Sequence, residues 1–396
     1  MARTGGYKWA VVGMLWCISF FNYADRQAVF SVFPLLEKEL GLSPVQLGLL
    51  GSSFAFTYGI CALAAGAVVD RVRRVPAILW GLHAWSGICM GTAVSRNFGQ
   101  LLAFRAAEGL GETLYFPASM SLISDYHGPE TRSRAMGLHQ TSVYVGTVAG
   151  GFFAGMIGQR YGWRWSFLVF GGAGVLLGIV LRRFLIEAPR GAEAPARREP
   201  RLKSAPRRGV APCLLGAFAC ANFVAVVLLS WMPKFLYDKF HMNLAMAGLT
   251  ATIFVQLASM IGSPAGGWLA DRLRGRMAGG RMAVQAFGVF AGAPFVALCA
   301  LTTSVGWLVV ALTVWGFCKG MYDANIFASV YDVVPAESRG AAAGLMNTVG
   351  WLGGGAAAPL AIGILAQSYG LSVAIAMASA VYVAAGILLV TAVKLA

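Results

Sequence analysis

The chain is short of charge. Of its 396 residues only 12% are Asp, Glu, Lys or Arg, while 58% are hydrophobic. Soluble domains carry about 25% charged residues, and a water-facing globule of this size needs far more polar surface. A soluble enzyme is excluded on that ground. Period-two alternation of apolar and polar residues is lacking as well, which argues against a membrane β-barrel. Several catalytic signatures are missing. No Gly-x-x-x-x-Gly-Lys-Ser/Thr occurs, so direct ATP drive has no support. Neither His-Glu-x-x-His nor Gly-x-Ser-x-Gly occurs, and no Ser/His/Asp set is found, which counts against an intramembrane hydrolase. The seven cysteines (17, 61, 89, 213, 220, 299, 318) lie in apolar segments without metal-ligand spacing and read as buried free thiols. No metal or cofactor is expected.

What the chain has is long sequence without charge. Leu40–Val69, Val75–Ser95, Ala135–Gln159, Gly209–Pro233, Phe240–Ala270, Met282–Cys318 and Gly340–Val393 contain no Asp, Glu, Lys or Arg. A helix crosses the hydrocarbon core with about 20 apolar residues. The 50 glycines fall largely inside such stretches, where membrane helices tolerate them. The first stretch, Trp9–Phe33, is too long for a signal-peptide core and lacks a small-residue cleavage site, so it reads as a retained span. Twelve spans are predicted, near 9–33, 44–67, 76–95, 98–122, 135–158, 164–186, 211–236, 244–269, 281–303, 305–331, 341–366 and 372–393. The long final run divides at Gln367-Ser-Tyr-Gly370.

The net charge of +15 raises the question of nucleic acid, but its distribution answers otherwise. Threaded through twelve spans, 22 of the 31 Lys and Arg fall on one side, six on the other and three within spans. That is the positive-inside pattern of a multi-pass plasma (inner) membrane protein with both termini cytoplasmic. The linker, residues 187–210, is rich in Pro, Arg and Lys and has no apolar periodicity. It is expected to be flexible, cytoplasmic and close to anionic headgroups. It divides the chain into residues 1–186 and 211–396.

The two halves repeat. Gly66-Ala-Val-Val-Asp70-Arg71 follows the second span and Gly267-Trp-Leu-Ala-Asp271-Arg272 follows the eighth. Glu130-Thr-Arg132 and Gly137-Leu138 return 207 residues later as Glu337-Ser-Arg339 and Gly344-Leu345. Matching features in order, at corresponding places in two six-span halves, indicate an internal repeat. The Gly-x-x-x-Asp-Arg loops resemble the signature of the major facilitator superfamily between spans two and three, with its weaker copy between spans eight and nine. The first loop departs from it, reading Val72-Arg73-Arg74 where the family has Gly. The resemblance covers essentially the whole chain. It implies an all-α membrane fold of twelve helices in two six-helix bundles around a central cavity, and alternating access by rocking of the halves. In that setting Asp70, Arg71, Asp271 and Arg272 are expected to act as conformational latches at the cytoplasmic face.

Ionisable residues inside spans are costly and mark function by default. Span one contains Asn22-Tyr23-Ala24-Asp25-Arg26. Neighbours on a helix point about 100° apart, so Asp25 and Arg26 can serve different partners. They read either as a proton-titrating carboxylate beside a substrate-binding guanidinium, or as parts of a structural ion pair between helices. In span four, Arg105, Glu108 and Glu112 share one face. Arg105 is two turns from Glu112, so Glu108 is its expected local partner and Glu112 is left freer to titrate. Span ten places Lys319 and Asp323 at i, i+4, either as a self-neutralised pair or with Lys319 facing the cavity. At the offset of 207, Glu112 maps onto Lys319 and Tyr115 onto Tyr322. His83 and His139 read as hydrogen-bonded core histidines more readily than as proton relays. Asn222, Trp231, Asn325, Asn347 and Trp351 are cavity candidates that helix packing explains almost as well.

Span one, with Arg105 and the Gly-x-Gly-Glu of span four, is similar to the anion:cation symporter branch of the superfamily, which includes bacterial hexuronate, galactonate and glucarate carriers. That resemblance implies proton roles for Asp25 and Glu112 and anion-binding roles for Arg26 and Arg105. Tyr23, Tyr58 and Tyr144 match cavity tyrosines. The Gln that precedes the last of these in galactonate carriers is Val143 here, and Gln140, a turn earlier, stands in for it. Tyr115, Lys319, Tyr322 and Asn347 complete the expected substrate-binding set, with Glu108 and Asp323 as structural partners. The expected activity is proton-coupled symport of a small organic anion, a sugar acid or other carboxylate, by a monomer in the lipid bilayer that binds no nucleic acid. Spinster-like lysolipid carriers share Asn-Tyr-x-Asp-Arg in span one and an acidic span four, and are the alternative. Three cationic candidates favour a compact anion, since Arg grips a carboxylate bidentately.

Overall fold

A computed structural model describes residues 6–128, 130–188, 209–334 and 339–396, without the side chains of 63, 66, 67, 70 and 339–341. Most of the linker therefore lies outside the described residues, as does the side chain of Asp70. Helices run through nearly all of the rest: α1 Tyr7–Ser31, α2 Phe33–Leu40, α3 Pro44–Arg71, α4 Arg74–Thr92, α5 Phe98–Glu112, α6 Tyr115–Tyr126, α7 Arg132–Tyr161 and α8 Trp163–Phe184. After the linker come α9 Val210–Phe240, α10 Leu244–Arg274, α11 Gly280–Leu301, α12 Val305–Val333, α13 Arg339–Val349, a π-helical segment Gly350–Ala356, α14 Ala357–Tyr369 and α15 Leu371–Leu395. No strand occurs among the described residues. Helix fits this environment because hydrocarbon offers the backbone no other hydrogen-bond partner.

Helices occupy all twelve expected positions. Among the described residues, nine are long and apolar enough to cross a membrane. The remaining three positions are α1, which carries Asp25 and Arg26, the 19-residue α4, and the fourth span. The fourth span is broken: α5 ends at Glu112 and α6 starts at Tyr115. The eleventh leaves the α ladder at Gly350 and returns to it at Ala357.

The chain forms two compact units. One takes in the described residues of Met1–Leu42, Ile60–Arg198 and Asn243–Leu249; the other those of Ser43–Gly59, Glu199–Met242 and Thr250–Ala396. In the first, α1 packs along α7 and α4 along α8. Close approach of α1 to α7 depends on Gly146 and Gly150, where a Cβ would strike the backbone of Phe20 and Ala24. Val11, Leu15, Ile78, Leu82, Trp85 and Leu122 are among the buried residues of its core. In the second, α9 packs on the π segment and on α15, and α11 packs on α12 and α15.

The loop charges form clasps. Arg74 pairs with Asp125, and Glu187 accepts the backbone N–H groups of Arg74 and Val75 at 2.9 and 3.0 Å, capping the start of α4. In the other unit Arg281 holds Asp332 at 3.0 Å and Asp271 at 3.2 Å, and Arg274 holds Asp332 at 3.1 Å. Arg272 lies against the ring of Trp268, 5.5 Å from its centroid, and Arg71 is exposed at the end of α3.

Candidate functional site

The first unit buries a group of charges contributed by α1 and α5. Asp25, Arg105, Glu108 and Glu112 are each 1% exposed or less. Arg26 Nε donates to Glu112 Oε2 at 2.5 Å, so α1 and α5 are tied by an ion pair. Spacing along the chain left Glu112 freer; the structure gives it a partner from another helix, which periodicity within one helix cannot reveal. Arg105 pairs with Glu108, one turn on, as the i, i+3 spacing predicts. The Arg26 guanidinium also lies over the Tyr23 ring, 4.8 Å from its centroid.

Asp25 is different. Neither carboxylate oxygen makes a hydrogen bond of ordinary geometry to a described residue. The Cys89 sulfur and a Glu108 oxygen lie within 4.8 Å of an Asp25 oxygen and of one another. These three could in principle ligate a cation. Arg105, however, already holds Glu108 and adds a positive charge beside the group, so a proton fits it better than a divalent metal. Cys89 was not among the expected site residues. It comes from α4 and meets Asp25 only in the folded unit.

Other expected residues of this unit are spread out. Tyr115 is buried in the core, its hydroxyl donating to Leu15 O at 2.7 Å and lying 2.9 Å from His139 Nε2. His83 Nδ1 lies 2.7 Å from Leu79 O. Gln140 is exposed on α7 and Tyr144 is half-buried there.

The second unit holds a smaller polar site. A pocket is lined by Phe218, Asn222, Lys319, Tyr322, Asp323 and Tyr382, with alanines between them. Lys319 pairs with Asp323, as their i, i+4 spacing predicts. Asn222 Nδ2 donates to Gly350 O at 2.5 Å, at the first residue of the π segment. From that segment Trp351 packs against Tyr58, with ring centroids 4.9 Å apart. Asn325 donates to Met321 O and Trp231 to Pro359 O, both contacts of helix packing, while Asn347 is exposed on α13. Tyr382 and the π segment were absent from the expected site; the run Gly353-Gly354-Gly355 was the one sequence signal for the segment.

The family comparison fixes the class. The Major Facilitator Superfamily model matches residues 15–358, with a second match over 235–395. The chain belongs to the Major Facilitator Superfamily. It is thus an all-helical, multi-pass membrane transporter rather than an enzyme. Within the superfamily, the chain is 28% identical over 375 residues to Sodium-dependent phosphate transport protein 1, chloroplastic, of Arabidopsis thaliana, covering 88% of this chain and 72% of that one. It is 24% identical over 415 residues to the D-galactonate transporter of Escherichia coli O6:H1, covering 96% and 94%. Among solved structures it is similar to an inward-facing, unoccupied bacterial homologue of the human lysosomal transporter Spinster, with a TM-score of 0.82, 22% identity, and coverage of 99% and 97%. That last likeness is one of fold.

Proposed function

We propose that this superfamily member is a proton-coupled symporter of a small organic anion, a sugar acid or other carboxylate, working by alternating access between residues 1–186 and 211–396. The observation that carries the reading is the buried group in the first unit: two Arg–Glu pairs, and an Asp beside them whose carboxylate oxygens make no ordinary hydrogen bond to the described residues. A carboxyl fully buried beside two further carboxylates is costly to keep for packing alone, which supports a functional role for it. Asp25 and Glu112 serve as the proton sites. Arg26 can hold Glu112 or a substrate carboxylate. A proton on Glu112 weakens the first contact and favours the second, so proton and anion load together. Arg105, kept in place by Glu108, is the second cationic contact. Tyr23, beside Arg26, and Tyr144 supply aromatic walls within the first unit. A proton, rather than sodium, suits titratable carboxylates. Both termini lie on the cytoplasmic side of the plasma membrane, where the excess Lys and Arg falls.

Proteoliposomes containing a pH-sensitive dye test this. D-galactonate, D-glucuronate, dicarboxylates and lysophospholipids are added separately, with and without a sodium gradient. The expected result is proton influx driven by a sugar acid, independent of sodium and lost in Glu112→Gln. Uptake that follows sodium and ignores pH would overturn proton coupling. A response to lysophospholipid alone would replace the anion reading with a Spinster-like one.

A further inference from the structure

The buried group of the first unit contains a side chain that the symport reading leaves idle. Cys89, on α4, is fully buried, and its thiol donates to Phe167 O on α8 at a sulfur–oxygen distance of 3.6 Å. The same sulfur is a hydrogen-bonding neighbour of Asp25 on α1, also fully buried. The sulfur, an Asp25 oxygen and a Glu108 oxygen lie within 4.8 Å of one another. With the thiol on Phe167 O, its contact with Asp25 is looser than an ordinary hydrogen bond. A thiol has one proton to donate, and here two acceptors face it. The Phe167 carbonyl does not change during a proton cycle. The Asp25 carboxyl does: it accepts strongly when ionised and weakly when protonated. The other charges around Asp25 are Glu108, Glu112 and Arg105 on α5, and Arg26, which follows it on α1. Arg105 pairs with Glu108 and Arg26 with Glu112. From α7, Gly150 stands against neighbouring Ala24, and His139 is turned to Tyr115.

We propose that Cys89 is a positioning residue for the Asp25 proton, its thiol turning from Phe167 O to the Asp25 carboxylate when that proton leaves. This rests on the proton role given to Asp25 above and deepens it. While Asp25 is protonated, the thiol donates to Phe167 O, the arrangement seen here. When Asp25 ionises, the S–H turns to the carboxylate and supplies a hydrogen bond to a charge that is fully buried. The thiol keeps its own proton throughout; only the hydrogen bond changes partner. A weak donor suits this place. It eases release of the proton without trapping Asp25 in the ionised form. A serine hydroxyl would hold the carboxylate more tightly, and an alanine methyl would offer it nothing.

Infrared difference spectroscopy on the full-length protein in liposomes tests this without a transported substrate. Wild type, Asp25→Asn, Cys89→Ala and Cys89→Ser are titrated across the pH range in which each stays folded. The carboxyl C=O band lost in Asp25→Asn reports Asp25, and the S–H band lost in Cys89→Ala reports Cys89. In wild type the two bands should change with one midpoint, the S–H stretch moving to lower frequency as Asp25 ionises. In Cys89→Ala the Asp25 midpoint should rise by about half a pH unit to one unit, roughly three- to tenfold in the proton equilibrium. Cys89→Ser should bring it back to the wild-type value or below. An Asp25 band that titrates while the S–H band stays fixed would overturn the thiol's role and leave the proton site standing. An Asp25 that does not titrate in wild type would overturn both. An Asp25 midpoint unchanged in Cys89→Ala, even if that variant unfolds earlier, would mark the sulfur as packing alone and overturn the proposal.

Discussion

The two units carry the same clasps at one end and quite different chemistry in their middles. Arg74 and Asp125 pair in one, and Arg281 and Asp332, each 207 residues later, pair in the other. At the same offset Glu112 becomes Lys319: a carboxylate in a charge group drawn from two helices becomes an ammonium paired within its own helix. Helix breaks differ in the same way. Span four is interrupted between Glu112 and Tyr115, whereas α12 is continuous; α7 is continuous, whereas its counterpart contains the π segment. Irregular backbone inside a membrane is tolerated only where protein or a cavity satisfies it, and π segments favour functional sites. Each unit has therefore kept its scaffold contacts and placed its irregularities beside its own polar site.

The largest expected effect lies in the first unit. Arg26→Ala leaves Glu112 buried without its guanidinium. Breaking such a pair costs about 3–5 kcal/mol of stability, and because the same guanidinium is the proposed anion contact, proton-driven uptake should fall by at least about two decades. Lys319→Met affects a partly exposed i, i+4 pair worth about 1 kcal/mol or less and should reduce uptake by about fivefold or less. Equal losses would break the comparison. The clasps sharpen it. Arg74→Ala should lower unfolding stability by about 1–3 kcal/mol, because Asp125 is only 3% exposed at its side chain. Arg281→Ala should cost less, since Asp332 keeps Arg274. Reversal of that order in thermal unfolding would count against equivalent clasps. A further contrast sits on span eleven. A Cβ at Gly354 would meet Ala219 O at 2.7 Å and Phe223 N at 2.8 Å, whereas one at Gly344 meets nothing within 4 Å. Gly354→Ala should destabilise, and Gly344→Ala should be neutral or stabilising by about 0.5–1 kcal/mol.

Much of this was legible in the sequence, for definable reasons. Spans follow from uninterrupted apolar runs, and the hydrocarbon core admits few backbones. The pairs Arg105–Glu108 and Lys319–Asp323 follow from spacing on one helix. What was hidden depends on packing between helices. Arg26 meets Glu112, and Cys89 meets Asp25, only because α1, α4 and α5 come together. Tyr382 looks like an ordinary apolar-span aromatic until α15 packs on α9. The break at Thr113–Leu114 has no Pro or Gly at the site itself, and neighbouring Gly109 and Gly111 read equally well as contact residues.

The smallest expected effect also separates the units. His127 follows α6 outside the span, fully buried, against the ring of Trp9 at 4.8 Å. Its Nε2 lies 3.0 Å from Lys8 O and its Nδ1 3.1 Å from Thr131 Oγ1. Nε2 therefore donates, and Nδ1 accepts from the hydroxyl. Burial holds this ring below the ordinary histidine value of 6.5. The unfolded chain takes up a proton near 6.5, while the folded chain does so only at lower pH. The unfolded state then binds more protons across that window, so stability is full above 6.5 and falls as pH drops through the folded value. At the equivalent position, 207 residues on, stands Val334, which cannot titrate. Unfolding followed from pH 7.5 to 5.5 should show a decline that His127→Gln flattens. A decline of the same slope in that variant would place the acid sensitivity elsewhere, and the pH contrast between the two units would fail.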